Sequence, residues 1–198
     1  MVHSAYVNSV KEAGGVPFLI PHIPELAADA LDALDGVLLT GGDDIDMRDF
    51  GQALHAKADL MPPLRQRGEF ALLRALDQRP TLPVLGICLG MQLMGVHNGC
   101  PLIQHLHDVI PNGDRHVGNK IHSITGSIGS GQVTSSHHQA LANAGPFETL
   151  ALSDDGVLEA IRLANRSFYV GVQWHPERTQ DQELGLGIIQ KLVNAAQM

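Results

Sequence analysis

The feature that most constrains this chain is a cysteine between two glycines, at the junction of an apolar segment and a helical one. Residues 82–86 (LPVLG) predict a short buried strand, and residues 91–97 (MQLMGVH) have the apolar spacing of a helix. The glycines at 86 and 90 permit a strained turn between them, the thiol version of a Gly-x-Ser-x-Gly turn. Cys88 then lies at a helix N-terminus, whose partial positive charge favours thiolate over thiol. The sequence therefore predicts that Cys88 is a nucleophile.

A base for this nucleophile follows another apolar segment near the C-terminus. Residues 168–174 (FYVGVQW) predict a buried strand that ends at His175, Pro176 and Glu177. His175 can accept the proton of Cys88 or pair with the thiolate, and Glu177 can orient the imidazole and stabilise its cationic form. Pro176 stiffens the short link between these two side chains. The three residues together predict a Cys-His-Glu catalytic triad.

The composition limits the class of protein. The 198 residues allow one well-buried core, so we expect a single domain over 1–198. A net charge of −8 without Lys/Arg clusters argues against nucleic acid as a partner, and no apolar run approaches the length of a bilayer span. Because there is no secretory signal and only two cysteines, we expect a cytoplasmic protein.

Apolar segments alternate with amphipathic ones along the chain, which predicts an α/β fold with a mostly parallel sheet covered by helices on both faces. The glycine-rich region 108–132 predicts hairpins whose positions the sequence does not fix. The predicted strands are 16–20, 36–39, 84–88, 149–152, 158–163 and 169–174, and the predicted helices are 4–13, 25–34, 64–78, 89–97 and 182–196. Ligands of such sheets bind beyond the carboxyl ends of the strands, where Cys88, His175 and Gly41-Gly42 all fall.

Five segments, in order from residue 6 to residue 177, resemble the class I glutamine amidotransferase superfamily, and within it the γ-glutamyl hydrolase branch that cleaves γ-glutamyl-γ-aminobutyrate and related amides. The segments are 6–17 (YVNSVKEAGGVP), 40–51 (TGGDDIDMRDFG), 86–92 (GICLGMQ), 135–140 (SSHHQA) and 173–177 (QWHPE). The resemblance implies a flavodoxin-like fold. It also implies an extra strand before the first helix, for which residues 1–4 are too short, so we expect the first strand to be missing.

The resemblance implies hydrolysis of a γ-glutamyl amide, without a cofactor, through a thioester on Cys88. Backbone N–H groups of Leu89 and of the Gly41-Gly42 turn are the candidates for stabilising the oxyanion. Four side chains are the candidates for binding the γ-glutamyl substrate: Gln92, Ser135, His137 and His138. Two positions depart from the hydrolase branch, since it often has Arg where Leu89 stands and an acid where Gly68 stands.

Two other functions stay open. The chain could be a glutaminase subunit that passes ammonia to a synthase partner, because amidotransferases often have Leu at position 89. It could also be a catalytically silent binding module of the same fold. Membrane partners are not expected, and the sequence leaves open whether the chain forms a homodimer.

Each candidate residue also has a purely structural interpretation. Cys88 could be an inert core thiol, His175 a helix cap, Gly41-Gly42 an ordinary turn, and Gln92 a residue that satisfies buried backbone groups. His137 and His138 could simply begin a helix. Although the chain has 11 histidines, none falls in a zinc-binding spacing, so we expect no metal.

Overall fold

The computed structural model describes residues 3–198, which contain five helices and nine strands. The helices are α1 (Ser4–Glu12), α2 (Ala27–Leu31), α3 (Pro63–Asp77), α4 (Leu89–His97) and α5 (Leu186–Ala196). The strands are β1 (Val37–Leu39), β2 (Val84–Ile87), β3 (Leu102–Ile103), β4 (Lys120–Gly126), β5 (Gly129–Ser135), β6 (Ala140–Leu141), β7 (Glu148–Ser153), β8 (Leu158–Arg162) and β9 (Tyr169–Val172). None of the described helices is both long and apolar enough to cross a bilayer.

Seven of the strands form one mixed sheet in the order β1-β2-β9-β8-β7-β4-β5. The neighbours β1, β2 and β9 run parallel, and all pairs from β9 to β5 are antiparallel. The short strands β3 and β6 pair separately. The predicted α/β fold is confirmed, but its parallel part is limited to three strands, because the region after residue 116 returns through tight turns rather than through helices.

Helices cover both faces of the parallel strands. Side chains of β2 alternate between the two faces, so that Val84 packs with α2, α3 and α4, while Leu85 and Ile87 pack with α1 and α5. This alternation follows from the two-residue period of a strand. It explains why β2 is apolar at every position, as the sequence analysis expected of a strand buried on both faces.

The predicted strand 16–20 is wrong. These residues form no ladder and have no regular secondary structure, and Val16, Phe18 and Leu19 are exposed by 77%, 71% and 68%. No strand among residues 3–198 lies between this segment and β1, and a groove of about 400 Å³ separates them. The segment is apolar enough for a strand but has no partner to pair with.

Other predicted elements differ mainly in length. The helix predicted over 25–34 is a short 3₁₀ turn followed by α2, and the last helix begins at Leu186 rather than at 182. One hairpin, β4-β5, accounts for most of the glycine-rich region. Met1 and Val2, on which part of the missing-strand prediction fell, lie outside the described residues; the first described element is α1.

Candidate active site

Cys88 lies at the turn between β2 and α4, where the sequence analysis expected it. Its backbone has φ 53° and ψ −106°, in the left-handed region that non-glycine residues rarely adopt. The flanking glycines allow the turn to pack closely, since a Cβ at Gly90 would overlap the carbonyl of Leu39 and one at Gly86 would overlap the sulfur of Met94. The thiol group is therefore held rigidly at the carboxyl edge of the sheet.

His175 follows the last parallel strand and is fixed by its backbone on both sides. Its N–H donates to the carbonyl of Thr134 (2.8 Å), and its own carbonyl accepts from the hydroxyl of Thr179 (2.9 Å). Its Nδ1 lies 2.8 Å from Oε1 of Glu177, whose side chain is fully buried. With Nδ1 held by this carboxylate, Nε2 is the ring nitrogen left for proton exchange.

The charges around His175 favour its protonated form. Burial lowers the pKa of His175, but its interactions with the neighbouring Cys88 and Glu177 raise the pKa to about 10. At neutral pH the imidazole of His175 is therefore cationic. The structure places Cys88, His175 and Glu177 at the same carboxyl edge of the sheet.

The turn after β1 packs directly against these side chains. A Cβ at Gly41 would lie 2.6 Å from the hydroxyl of Tyr6 and 3.1 Å from Cε1 of His175, so a larger residue there would displace these groups. Of the three expected oxyanion donors, the N–H groups of Gly42 and Leu89 make no hydrogen bond within residues 3–198. The N–H of Gly41 instead donates to the hydroxyl of Tyr6 (3.1 Å).

Two residues of this site were missed at the sequence level. Tyr6, on α1, places its hydroxyl 3.4 Å from Nδ1 of His175, and burial raises its pKa above the ordinary value. Arg65, on α3, donates to the hydroxyl of Thr40 and to the carbonyl of Gly41 (both 3.1 Å), and it pairs with Glu69. A lone tyrosine or arginine on a helix carries no local signal, because its partners are distant in sequence.

Gln92 and Ser135 are buried and make internal hydrogen bonds. The amide nitrogen of Gln92 donates to the carbonyl of Gln139 (3.1 Å) and to the side chain of Gln173 (3.2 Å). The hydroxyl of Ser135 donates to the carbonyl of His116 (3.0 Å). Their donors are thus directed into the protein interior rather than toward Cys88.

The two neighbouring histidines point in different directions. His137 is buried and faces the interior, whereas His138 is partly exposed and pairs with Asp44 (2.9 Å), in the turn that follows β1. The hydrogen bond to Asp44 raises the pKa of His138. In the same segment, the backbone carbonyl oxygen of Ser136 lies 4.0 Å from the Cys88 sulfur. This segment therefore forms one wall beside the thiol.

The departure at Gly68 has a structural reason. Gly68 is buried in α3 against residue His22, and a Cβ there would lie 2.8 Å from both Cα and Cβ of His22. An acidic side chain at this position would push the 16–23 segment away. The neighbouring Glu69 instead pairs with Arg65 (3.2 Å) and lies 3.5 Å from Nε2 of His22.

A family model described as Peptidase C26 matches residues 1–177. The chain belongs to the Peptidase C26 family. The resemblance found in the sequence is thus confirmed at the level of the family, for which a cysteine nucleophile is typical.

The similar proteins include both a putative glutamine amidotransferase and a γ-glutamyl hydrolase. A "Putative glutamine amidotransferase" of Mycobacterium tuberculosis is 38% identical over 207 residues, covering 96% of this chain, which spans 66% of that protein's length. A γ-glutamyl-γ-aminobutyrate hydrolase of Escherichia coli is 28% identical, covering 87% of this chain and 76% of the hydrolase.

A solved structure supports the fold. A "putative gmp synthase subunit a protein" of Thermoplasma acidophilum superposes with a TM-score of 0.69 at 18% identity, covering 98% of this chain and 87% of that one. At this identity the likeness concerns the fold alone, which is that of class I glutamine amidotransferases.

Proposed function

We propose that the protein is a cysteine-dependent hydrolase that cleaves the γ-glutamyl amide bond of a small γ-glutamyl amine or peptide. The observation that carries this proposal is that the buried imidazole of His175 lies 2.8 Å from Glu177 and packs, together with Cys88, against Gly41. Membership of the Peptidase C26 family and the similarity to the E. coli hydrolase support the same reaction class. Cys88 is the nucleophile, His175 the general acid and base, and Glu177 the residue that orients His175.

In the first half of the reaction the Cys88 thiolate attacks the γ-carbonyl carbon of the substrate. The negative charge that develops on the carbonyl oxygen is stabilised by the N–H groups of Leu89 and Gly42, each worth about 3 kcal/mol in the transition state. Gly41 contributes its N–H only when the Tyr6 hydroxyl releases it. His175 then protonates the departing amine, leaving a thioester on Cys88 and a neutral imidazole.

In the second half a water molecule attacks the thioester. Neutral His175 takes one proton from this water as the hydroxide adds to the carbonyl carbon, and the C–S bond breaks. Glutamate leaves, and the thiolate-imidazolium pair is restored. Glu177 keeps its Nδ1 contact in both halves, so the imidazole remains oriented while its Nε2 gains and loses the proton.

The contacts of the four candidate substrate residues divide their proposed roles. His138 and the Ser136 carbonyl lie at the partly exposed wall beside Cys88, so we assign the substrate contact of this segment to them. Ser135 and His137 act indirectly by fixing the segment from behind. Gln92 supports the same wall through its bond to the Gln139 carbonyl, and its amide oxygen is the atom available to the substrate.

The test is steady-state hydrolysis of glutamine, γ-glutamyl-γ-aminobutyrate and a γ-glutamyl dipeptide, with Cys88→Ala as the inactive variant. We expect γ-glutamyl-γ-aminobutyrate or the dipeptide to be cleaved well above glutamine, and Cys88→Ala to abolish cleavage. Cys100→Ala, which removes the other buried thiol, is the matched control and retains activity. Equal turnover by wild type and Cys88→Ala would disprove the proposal.

The second candidate is a glutaminase subunit that supplies ammonia to a synthase. The specific observations in its favour are the 38% identity to the M. tuberculosis protein and Leu89 beside the nucleophile. Hydrolysis of glutamine alone, increased by a co-purifying synthase, would favour this candidate. No turnover of any substrate by the folded protein, with no selective labelling of Cys88, would favour a binding module.

A further inference from the structure

A buried charged cluster lies behind the wall that faces Cys88, and the proposed hydrolysis does not use it. Its centre is the carboxylate of Glu159 on β8, which has no exposed surface. Oε1 of Glu159 lies 3.0 Å from Nε2 of His122, 3.4 Å from Nδ1 of His116 and 3.7 Å from Nε2 of His137. A carboxylate taken out of water is costly unless a positive charge compensates it.

The outer nitrogens of two of these imidazoles are already engaged. Nδ1 of His137 lies 2.8 Å from the carbonyl of Gln139, and only an N–H can face a carbonyl oxygen. Nε2 of His116 lies 3.1 Å from the carboxylate of Asp155, which also calls for an N–H. In their neutral forms both rings therefore direct a lone pair inward, from Nδ1 of His116 and Nε2 of His137.

These two inward nitrogens lie only 3.3 Å apart, and Oε1 of Glu159 completes a triangle with them. Two lone pairs and a carboxylate oxygen at such distances repel one another unless a cation lies between them. The sides of the triangle are 3.3, 3.4 and 3.7 Å. Four tetrahedral ligands at Zn²⁺ distances of about 2.0–2.2 Å are separated by about 3.3–3.6 Å. Two sides of the triangle fall within this range and the third, 3.7 Å, is slightly longer, so the triangle is close to one face of a zinc site.

We propose that His116, His137 and Glu159 form a buried binding site for a divalent transition-metal ion, with Zn²⁺ favoured by two imidazole nitrogens and one carboxylate oxygen. Zn²⁺ and similar ions prefer this donor set. The outer bonds of the histidines to a carboxylate and to a backbone carbonyl are the second layer of contacts that orients metal-bound imidazoles. Neither atom of the Glu159 carboxylate makes a well-formed hydrogen bond within residues 3–198, which leaves this group free to bind an ion.

The ion has a structural role in this proposal. The His116 carbonyl accepts from the N–H of His137 (2.7 Å) and from the hydroxyl of Ser135. An ion on His116, His137 and Glu159 therefore ties this segment to β8, and with it the Ser136 carbonyl beside Cys88. Sequence analysis expected no metal, because the three ligands are more than 20 residues apart along the chain and only the fold brings them together.

The alternative occupant is a proton, which would make one imidazole cationic and compensate Glu159 equally well. The metal content of the purified protein distinguishes a bound zinc ion from a bound proton. Untagged protein, produced with added Zn²⁺ and passed over a desalting column, is expected to retain about one zinc per chain by mass spectrometry, and a strong chelator is expected to lower its Tm. Glu159→Gln is expected to lose the zinc.

His107→Gln is the matched control, because His107 belongs to an exposed group of stacked histidines that could bind zinc adventitiously. We expect this variant to keep its zinc. If Glu159→Gln does not fold, the proposal is tested by two measurements on the wild-type protein and on His107→Gln. These are the zinc content and the dependence of Tm on the chelator. The proposal is overturned if the wild-type protein contains no zinc and the chelator leaves its Tm unchanged. It is also overturned if the His107→Gln variant loses its zinc.

Discussion

The parallel and antiparallel halves of the sheet are built on different chemistry. The parallel strands β1, β2 and β9 are apolar, and the turns at their carboxyl ends carry Gly41, Cys88 and His175. The antiparallel strands β8 and β4 bury Glu159 and His122, together with histidines of the adjoining loops. In the parallel half the polar groups lie at the edge of the sheet, where a substrate can reach them. In the antiparallel half they lie inside the protein, where they support the 135–138 segment beside Cys88.

After the complete loss expected from Cys88→Ala, the largest effect on activity is expected from His175→Gln. The amide cannot transfer the proton to the leaving amine, so kcat/KM should fall by about 10²–10⁴-fold, the usual contribution of a general acid and base. Steady-state kinetics on the best substrate of the panel measures this. An unchanged Tm would show that His175→Gln impairs catalysis without disturbing the structure. A decrease in kcat/KM of less than tenfold would mean that another group transfers the proton.

Glu159→Ala tests the other half. It leaves three buried histidines without their carboxylate, and we expect about 3–5 kcal/mol of unfolding free energy to be lost, as for a broken buried ion pair. Urea denaturation measures this loss. Glu148→Ala is the control, because Glu148 forms an exposed pair with Arg162 and should change stability by less than about 1 kcal/mol. Equal effects of the two variants would contradict the contrast between the halves.

Gly41→Ala adds one methyl group at the edge of the parallel half. The new Cβ would lie 2.6 Å from the Tyr6 hydroxyl and 3.1 Å from Cε1 of His175, so these groups must move. Because displacements of about 1 Å cost about 10²-fold in rate, we expect a loss of this order in kcat. Gly51→Ala, whose Cβ would meet open space, is the control for general loop effects, although its positive φ lowers stability slightly.

The smallest effect on kcat/KM is expected from a change of pH. Since His175 loses its proton near pH 10, kcat/KM should be level through neutral pH and fall about tenfold per pH unit above 10. The pKa of His175 in the folded protein exceeds its ordinary value of 6.5, so its contribution to stability is complete below pH 6.5 and is lost as the pH rises toward 10. Glu177→Gln removes one cause of the raised pKa.

The alkaline limb of Glu177→Gln should therefore move to lower pH. A pH profile of kcat/KM for both proteins measures the shift. A limb that stays near pH 10 in Glu177→Gln would mean that Glu177 does not set the charge of His175.

The sequence predicts the parallel half well because its signals are local. An apolar strand, a pair of glycines and a following helix specify the turn at Cys88 within about fifteen residues, and His175 and Glu177 share one short segment. The same is true of α3, whose periodic apolar positions predict its ends to within one residue.

What the sequence does not predict depends on partners that are distant along the chain. The segment 16–20 has the composition of a strand, but pairing requires a neighbour that composition cannot supply. Tyr6 and Arg65 reach the site only through the packing of α1 and α3. The donors of Gln92 and Ser135 turn inward because Gln139 and His116 come near them in the folded protein, which spacing alone does not reveal.

The backbone of Cys88 has a consequence for how stable this chain can become. A non-glycine residue at φ 53° costs about 1–3 kcal/mol, and the surrounding packing of Gly86 and Gly90 holds it there. Selection for thermal robustness alone would therefore replace Cys88 with glycine, which accepts this conformation without strain. The residue proposed as the nucleophile is thus also a point of weakness, because the cost of its backbone conformation is subtracted from the stability that the surrounding core supplies.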